Sequence, residues 1–123
     1  MTRQHHIQLC RLDEIAPDTA RGFTTVETGA ENEIFVVNKD GKYFGYQNSC
    51  PHRGAPLEWM PNEFLSLDRE HIQCSLHGAR FTIEQGLCIH GPCLGHNLTP
   101  ISISIEDNLI FWNNAASEKD SPD

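Results

Sequence analysis

Cys50-Pro51-His52-Arg53-Gly54 and Cys74-Ser75-Leu76-His77-Gly78 are the two stretches around which this chain is organised. Each supplies one thiolate and one imidazole, first as Cys-x-His and then as Cys-x-x-His, with residues 53–73 between His52 and Cys74. Two mixed pairs of this kind can close around one metal centre from two facing loops. Cys50, His52, Cys74 and His77 are therefore the candidate ligands. Two fillings suit the donor set: a structural zinc ion, or two irons and two sulfides with Cys on one iron and His on the other. Structural zinc sites ordinarily run Cys-x-x-Cys and then His-x-x-x-His, and Cys-x-His is tight for two ligands of one tetrahedral ion. The mixed order favours the iron–sulfur filling and leaves zinc as the rival.

The residue types suit that chemistry. Two ferric ions and two sulfides carry a charge of about plus two, which two thiolates bring to zero and neutral imidazoles leave there. One further electron takes the site only to about minus one, so imidazole ligation raises the potential above that of an all-cysteine cluster. The outer imidazole nitrogens still titrate, so electron and proton affinity are linked.

The flanks extend the pattern through Ala55-Pro56-Leu57, through Ala79-Arg80-Phe81, and to Gly91-Pro92. Together these segments resemble the Rieske [2Fe-2S] family. The resemblance implies one [2Fe-2S] cluster held by Cys50, His52, Cys74 and His77. It implies an all-β fold: an antiparallel sandwich or barrel base built from both chain ends, with a two-loop cluster-binding subdomain at about residues 45–92 inserted into it. Residues 1–112 are expected as a single domain and 113–123 as a flexible tail. Gly91-Pro92 matches the loop that covers the cluster's flank in the family, leaving the edges of His52 and His77 open as the exit point for electrons.

Departures from respiratory members of the family carry information too. Those proteins join an extra cysteine in each ligand loop as a disulfide, where this chain has Ala55 and Leu76. They place hydroxyl donors two and four residues after the second ligand histidine, where this chain has Ala79 and Phe81. Without those donors the low part of the Rieske range, which spans roughly −150 to +300 mV, is expected.

Composition bounds the rest. At 123 residues the chain has room for a single core, and 38% hydrophobic with 21% charged residues is ordinary for a soluble globular protein. No apolar run is long enough to span a membrane, and Met1-Thr2-Arg3-Gln4-His5-His6 shows no export signal, which points to the cytoplasm. Of five cysteines, Cys10, Cys88 and Cys93 fall outside the ligand set. Cys88 and Cys93 flank the third loop, where packed thiols are expected over a redox switch. Seventeen acidic residues against nine Lys plus Arg give a net charge of −8, which argues against nucleic acid. The ligand loops themselves are nearly uncharged, so docking is expected to be brief and partly apolar, with the wider acidic surface steering encounter.

Working outward, strands are expected at His6–Arg11, Arg21–Thr28, Glu33–Lys39 and Lys42–Gln47, with a helical turn at 12–15 and a tight turn at Asp40-Gly41. Glu70–Gln73 leads into Cys74, and Arg80–Ile83 with Leu87–His90 forms a hairpin about Glu84-Gln85-Gly86. Ile101, Ile103 and Ile105 alternate with serines as one half-buried strand, which Asp107-Asn108 turns into Leu109–Trp112. Residues 57–68 read as irregular chain or a single helical turn. Pro56, Leu57, Trp59 and Met60 are expected to support the first ligand loop, the alternative being an apolar docking rim near His52. His71, His90 and His96 are expected as surface or hydrogen-bonded histidines.

No residue is expected to be catalytic, since a fully ligated cluster leaves no iron position for substrate. The reading is a one-electron carrier, monomeric or weakly oligomeric, between a reductase and a terminal oxygenase such as a ring-hydroxylating dioxygenase or another redox enzyme. The alternatives are a bound subunit resembling the small subunit of assimilatory nitrite reductase, and a cluster-based redox sensor or zinc module. A separate mononuclear iron domain follows the Rieske domain in oxygenase α-subunits, and none is expected within these 123 residues.

Overall fold

A computed structural model describes residues 5–27, 30–49, 57, 60, 62–74, 78–91 and 94–114. Its strands are β1 (His5–Arg11), β2 (Thr19–Glu27), β3 (Ala30–Lys39), β4 (Lys42–Gln47), β5 (His71–Gln73), β6 (Arg80–Thr82), β7 (Cys88–His90), β8 (Pro100–Ile101), β9 (Ile103–Glu106) and β10 (Leu109–Asn114). A 3-10 turn at Leu12–Glu14 is the one helical element among the described residues. None there is long and apolar enough to cross a membrane. The strands form three sheets with the orders β1-β10-β9, β2-β3-β4-β8 and β5-β6-β7. The fold is all-β, and β1–β10, β10–β9, β2–β3, β3–β4, β5–β6 and β6–β7 all pair antiparallel. Contacts divide the chain into two compact units, Met1–Glu14 with Ile101–Asp123, and Ile15–Pro100.

In the first unit, β10 is the middle strand. Ile7 pairs with Trp112 and Gln8 with Phe111, but Cys10 then pairs with Ile110, leaving Leu9 as the extra residue of a bulge. Simple alternation puts Leu9 on the same face as Ile7 and Cys10 on the other. The bulge resets the phase, and Cys10 is the one buried at 5% exposure. The run of alternating isoleucines is also interrupted. β8 ends at Ile101, Ser102 lies between strands with its carbonyl accepting from the Asn113 N–H (2.8 Å), and β9 begins at Ile103. Ile105 is 46% exposed, because β9 pairs with β10 on one side only and sits at a sheet edge. The turn from β9 to β10 is as expected: Asp107 (φ 54°) and Asn108 (φ 65°) take the left-handed conformation that short polar side chains tolerate.

In the second unit, β2, β3 and β4 form a meander. The turn after β3 is held by Asn38, whose Oδ1 accepts from Gly41 N–H (2.9 Å) and whose Nδ2 donates to the Ile15 carbonyl (2.8 Å). Ile34-Phe35-Val36-Val37 is a continuous apolar run because both faces of β3 are buried, each of the four residues being 1% exposed or less. Phe35 stacks on Phe64 (centroids 4.3 Å apart, 8° between planes) and meets Tyr46 at 5.9 Å. Around them Val37, Leu57, Ile72, Phe81, Ile83 and Leu98 complete a core that also takes in Cys74 and Ala79. Each large side chain so buried contributes about 1.5–3 kcal/mol.

The connector that reads as irregular in sequence is ordered by backbone bonds. Gln73 N–H donates to Phe64 O, and Ser66 N–H to His71 O, both at 2.8 Å, so this segment runs alongside β5. Asn62 Oδ1 accepts from Gly22 N–H on β2 (2.8 Å), tying the connector to the meander.

Candidate metal centre

Cys74 follows β5 directly and is buried at 1% exposure. Its N–H donates to the Ala79 carbonyl (2.8 Å), and its own carbonyl accepts from the Gly78 N–H (3.1 Å). These two backbone bonds close the base of the second ligand loop just before β6 begins. Gly78 sits at φ +69°, a conformation that costs an L-residue with a Cβ roughly 1–2 kcal/mol. A Cβ there would meet none of the described residues within 4 Å, so among them the need is conformational. Of the four candidate ligands, Cys74 is the one among the described residues; Cys50, His52 and His77 lie outside them, as do Ala55 and Leu76.

The first ligand loop is closed differently. Leaving β4, the Asn48 N–H donates to Glu33 O on β3 (2.8 Å), and Ser49 N–H donates to Gln47 O (3.0 Å). Asn48 is 7% exposed, and its Oδ1 accepts from the N–H of the fully buried Leu57 (2.8 Å), nine positions along the chain. One side chain thus joins the two ends of the loop that carries Cys50 and His52. Leu57 supports the loop as expected, while Met60 is 51% exposed and Pro56 and Trp59 lie outside the described residues. Asn48 was not singled out by the sequence; an asparagine two residues before a candidate ligand carries no signal of which backbone group it will reach.

The two loops are tied through Tyr46 and the hairpin. Tyr46, on the strand leading to Asn48, donates its hydroxyl to the Ile83 carbonyl beyond β6 (2.6 Å). Burial, with the Glu84 carboxylate adding to it, pushes the Tyr46 phenol up to about 12. The third loop meets the second at Gly91 (φ +103°), where a Cβ would lie 2.7 Å from Ala79 Cα and 3.0 Å from Ala79 Cβ. Only glycine permits that approach. Pro92 and Cys93 lie outside the described residues.

Most other residues behave as expected. Ala79 and Phe81 are 1% and 0% exposed in the same core as Cys74, and neither carries a hydrogen-bond donor on its side chain. Cys88 is buried, is not in a disulfide, and donates its thiol to the His90 carbonyl at 3.3 Å. His90 and His96 are exposed; His71 departs from expectation, being half-buried with its Nδ1 buried and without a hydrogen-bond partner among the described residues. Among the described residues no three metal-binding side chains converge.

The family profile described as the Rieske [2Fe-2S] domain matches residues 5–105. The chain belongs to the Rieske [2Fe-2S] domain family. It is similar to the biphenyl dioxygenase ferredoxin subunit of Pseudomonas sp. (strain KKS102), with 32% identity over 108 residues covering 87% of this chain and 92% of that protein. It is similar also to the ferredoxin component of the p-cumate 2,3-dioxygenase system of Pseudomonas putida, 30% identical over 105 residues (85% and 82% covered). Among solved structures, the complex of reduced oxygenase and oxidised ferredoxin in carbazole 1,9a-dioxygenase matches with a TM-score of 0.71 and 21% identity, covering 90% of this chain and 94% of that one. That last likeness establishes the Rieske fold.

The chain is accordingly an electron-transfer component rather than a catalytic subunit, and its cofactor is one [2Fe-2S] cluster. The residues present fit that group. A buried cysteine follows β5 on a loop pinned by its own backbone. The donor set of two thiols and two imidazoles is the one Rieske centres use.

Proposed function

We propose that this Rieske protein carries single electrons from a reductase to the terminal oxygenase of a ring-hydroxylating dioxygenase system. The observation that carries the reading is the similarity to the biphenyl dioxygenase ferredoxin subunit, which extends over 92% of that protein's length. In this reading Cys50 and Cys74 ligate one iron, and His52 and His77 the other. When bound, the cluster takes up and releases one electron at a potential set by its mixed ligands. The chain's part is to hold those ligands, shield the cluster from water on the Gly91 side and leave the histidine edge open to a partner. Residues of about 45–92 form the cluster-binding subdomain of a domain spanning 1–112, and 113–123 a flexible tail.

The net charge of −8 supports encounter with basic partners and argues against nucleic acid as one. The protein works in the cytoplasm without a membrane, as a monomer or weak oligomer, since a carrier that visits two enzymes must leave each.

The test is reconstitution. Anaerobically isolated protein is expected to hold equimolar iron and acid-labile sulfide, to give a Rieske-type electron paramagnetic resonance signal on reduction, and to show a pH-dependent midpoint. Mixed with a dioxygenase reductase and oxygenase, it is expected to be required for NAD(P)H-driven hydroxylation of an aromatic ring. Absence of sulfide would defeat the ligand assignment; a cluster that exchanges no electrons with either enzyme would defeat the partner assignment.

A further inference from the structure

We infer that Asn48 is the positioning residue of the first ligand loop, and that its side chain sets how firmly the cluster is retained. The inference rests on the ligand assignment proposed above and adds the residue that makes Cys50 and His52 a stable pair. Three observations carry it. Asn48 is buried and anchored through its backbone to β3 by the bond from its N–H to Glu33 O. Its Oδ1 accepts from the N–H of Leu57, which is fully buried. Residues 48 and 57 bracket the segment that contains both ligands of the pair.

The physical consequence is local. Without the carboxamide oxygen, the Leu57 N–H is left in the core with no acceptor, and a buried donor without a partner costs far more than an average hydrogen bond contributes. The cheapest relief is to open the base of the loop and hydrate that N–H. Such opening is a sub-global event, whose population governs how often the ligands meet solvent and competing chelators. The effect on the cluster is exerted through the base of the loop, where the Asn48 carboxamide holds the Leu57 N–H.

Asn38 is the internal control. It is buried like Asn48 (3% and 7% exposed) and also bonds two backbone groups, but at the β3–β4 turn. The experiment follows loss of visible absorbance from the holoprotein in excess ferrozine, well below the melting temperature. It compares wild type, Asn48→Ala, Asn48→Asp and Asn38→Ala, with each variant's fold verified by near-ultraviolet circular dichroism. Asn48→Ala is expected to bleach about tenfold faster than wild type. Asn48→Asp keeps an acceptor at the same reach and is expected to recover most of the difference. Asn38→Ala is expected to melt earlier yet bleach at close to the wild-type rate. Should Asn48→Ala fail to fold, Asn48→Ser, whose hydroxyl stops one atom short of the carboxamide oxygen, takes its place.

The inference is overturned if Asn48→Ala bleaches like wild type, if Asn48→Asp bleaches as fast as Asn48→Ala, or if Asn38→Ala accelerates bleaching as much. A wild-type protein that holds no sulfide overturns the ligand assignment itself, and that result is read before any variant is made.

Discussion

The two ligand loops do one job with different means. The second is short and closes on its own backbone: Cys74 and Ala79 are joined by one hydrogen bond, Gly78 and Cys74 by another, and a left-handed glycine makes the turn possible. The first is longer, and a backbone bond does not draw its ends together among the described residues. A side chain, Asn48, does so instead. A loop closed by its backbone depends on conformation, so its weak points are glycines. One closed by a side chain depends on where that side chain reaches, so its weak point is one residue. The contrast also separates the site from the core beneath it, since Cys74 and Cys88 share that core and differ in role.

The largest effect should come from that last pair. Cys74→Ala removes a proposed ligand and is expected to abolish acid-labile sulfide and visible colour. Cys88→Ala, at an equally buried thiol, is expected to keep both and to lose about 1 kcal/mol of stability, an ordinary core truncation. Sulfide analysis and denaturant unfolding on the two variants decide it. A coloured Cys74→Ala protein would break the assignment of the second loop.

Next in size are the glycines. Gly91→Ala must place a Cβ 2.7 Å from Ala79 Cα and also adopt φ +103°, so overpacking and strain combine. A loss of about 2–4 kcal/mol is expected. Gly78→Ala clashes with none of the described residues and bears the left-handed penalty, about 1 kcal/mol. Gly78→Asn should lose less still, because asparagine tolerates that region. Equilibrium unfolding in guanidinium measures all three. An equal loss at Gly78 and Gly91 would mean that the third loop does not press on the second in solution.

These contrasts explain how far the sequence could be read. The mixed Cys/His pairs announced the cluster because few other chemistries use those donors in that order. Asp40-Gly41 and Asp107-Asn108 announced their turns because left-handed positions select few residues. The apolar run Ile34 to Val37 announced the strand expected at Glu33–Lys39. What escaped was whatever depends on distant partners. Leu9 and Cys10 exchange places because of a bulge fixed by pairing with β10. Ile105 is exposed because β9 lies at an edge, which alternation alone does not reveal. Asn48 and Tyr46 work by reaching backbone groups that are remote in sequence, at Leu57 and Ile83.

Tyr46 gives the smallest and most conditional effect, visible only in alkali. Its hydroxyl donates to Ile83 O, and burial, seconded by Glu84, raises its pKa from an ordinary 10.0 to about 12. The folded state therefore favours the neutral phenol more strongly than the unfolded chain does. The stability this contributes is fully present below about pH 10, where both states are protonated. Between pH 10 and about 12 the unfolded chain ionises and the folded protein does not, so stability falls as pH rises through that window. Tyr46→Phe is expected to lose about 1 kcal/mol at neutral pH from the missing hydrogen bond and then to show a flatter profile from pH 10 to 12. Denaturant midpoints of both proteins across that range measure the difference. Parallel profiles would mean that the phenol titrates alike in both states, and that the strand entering the first loop is not fastened to the hairpin bearing the second.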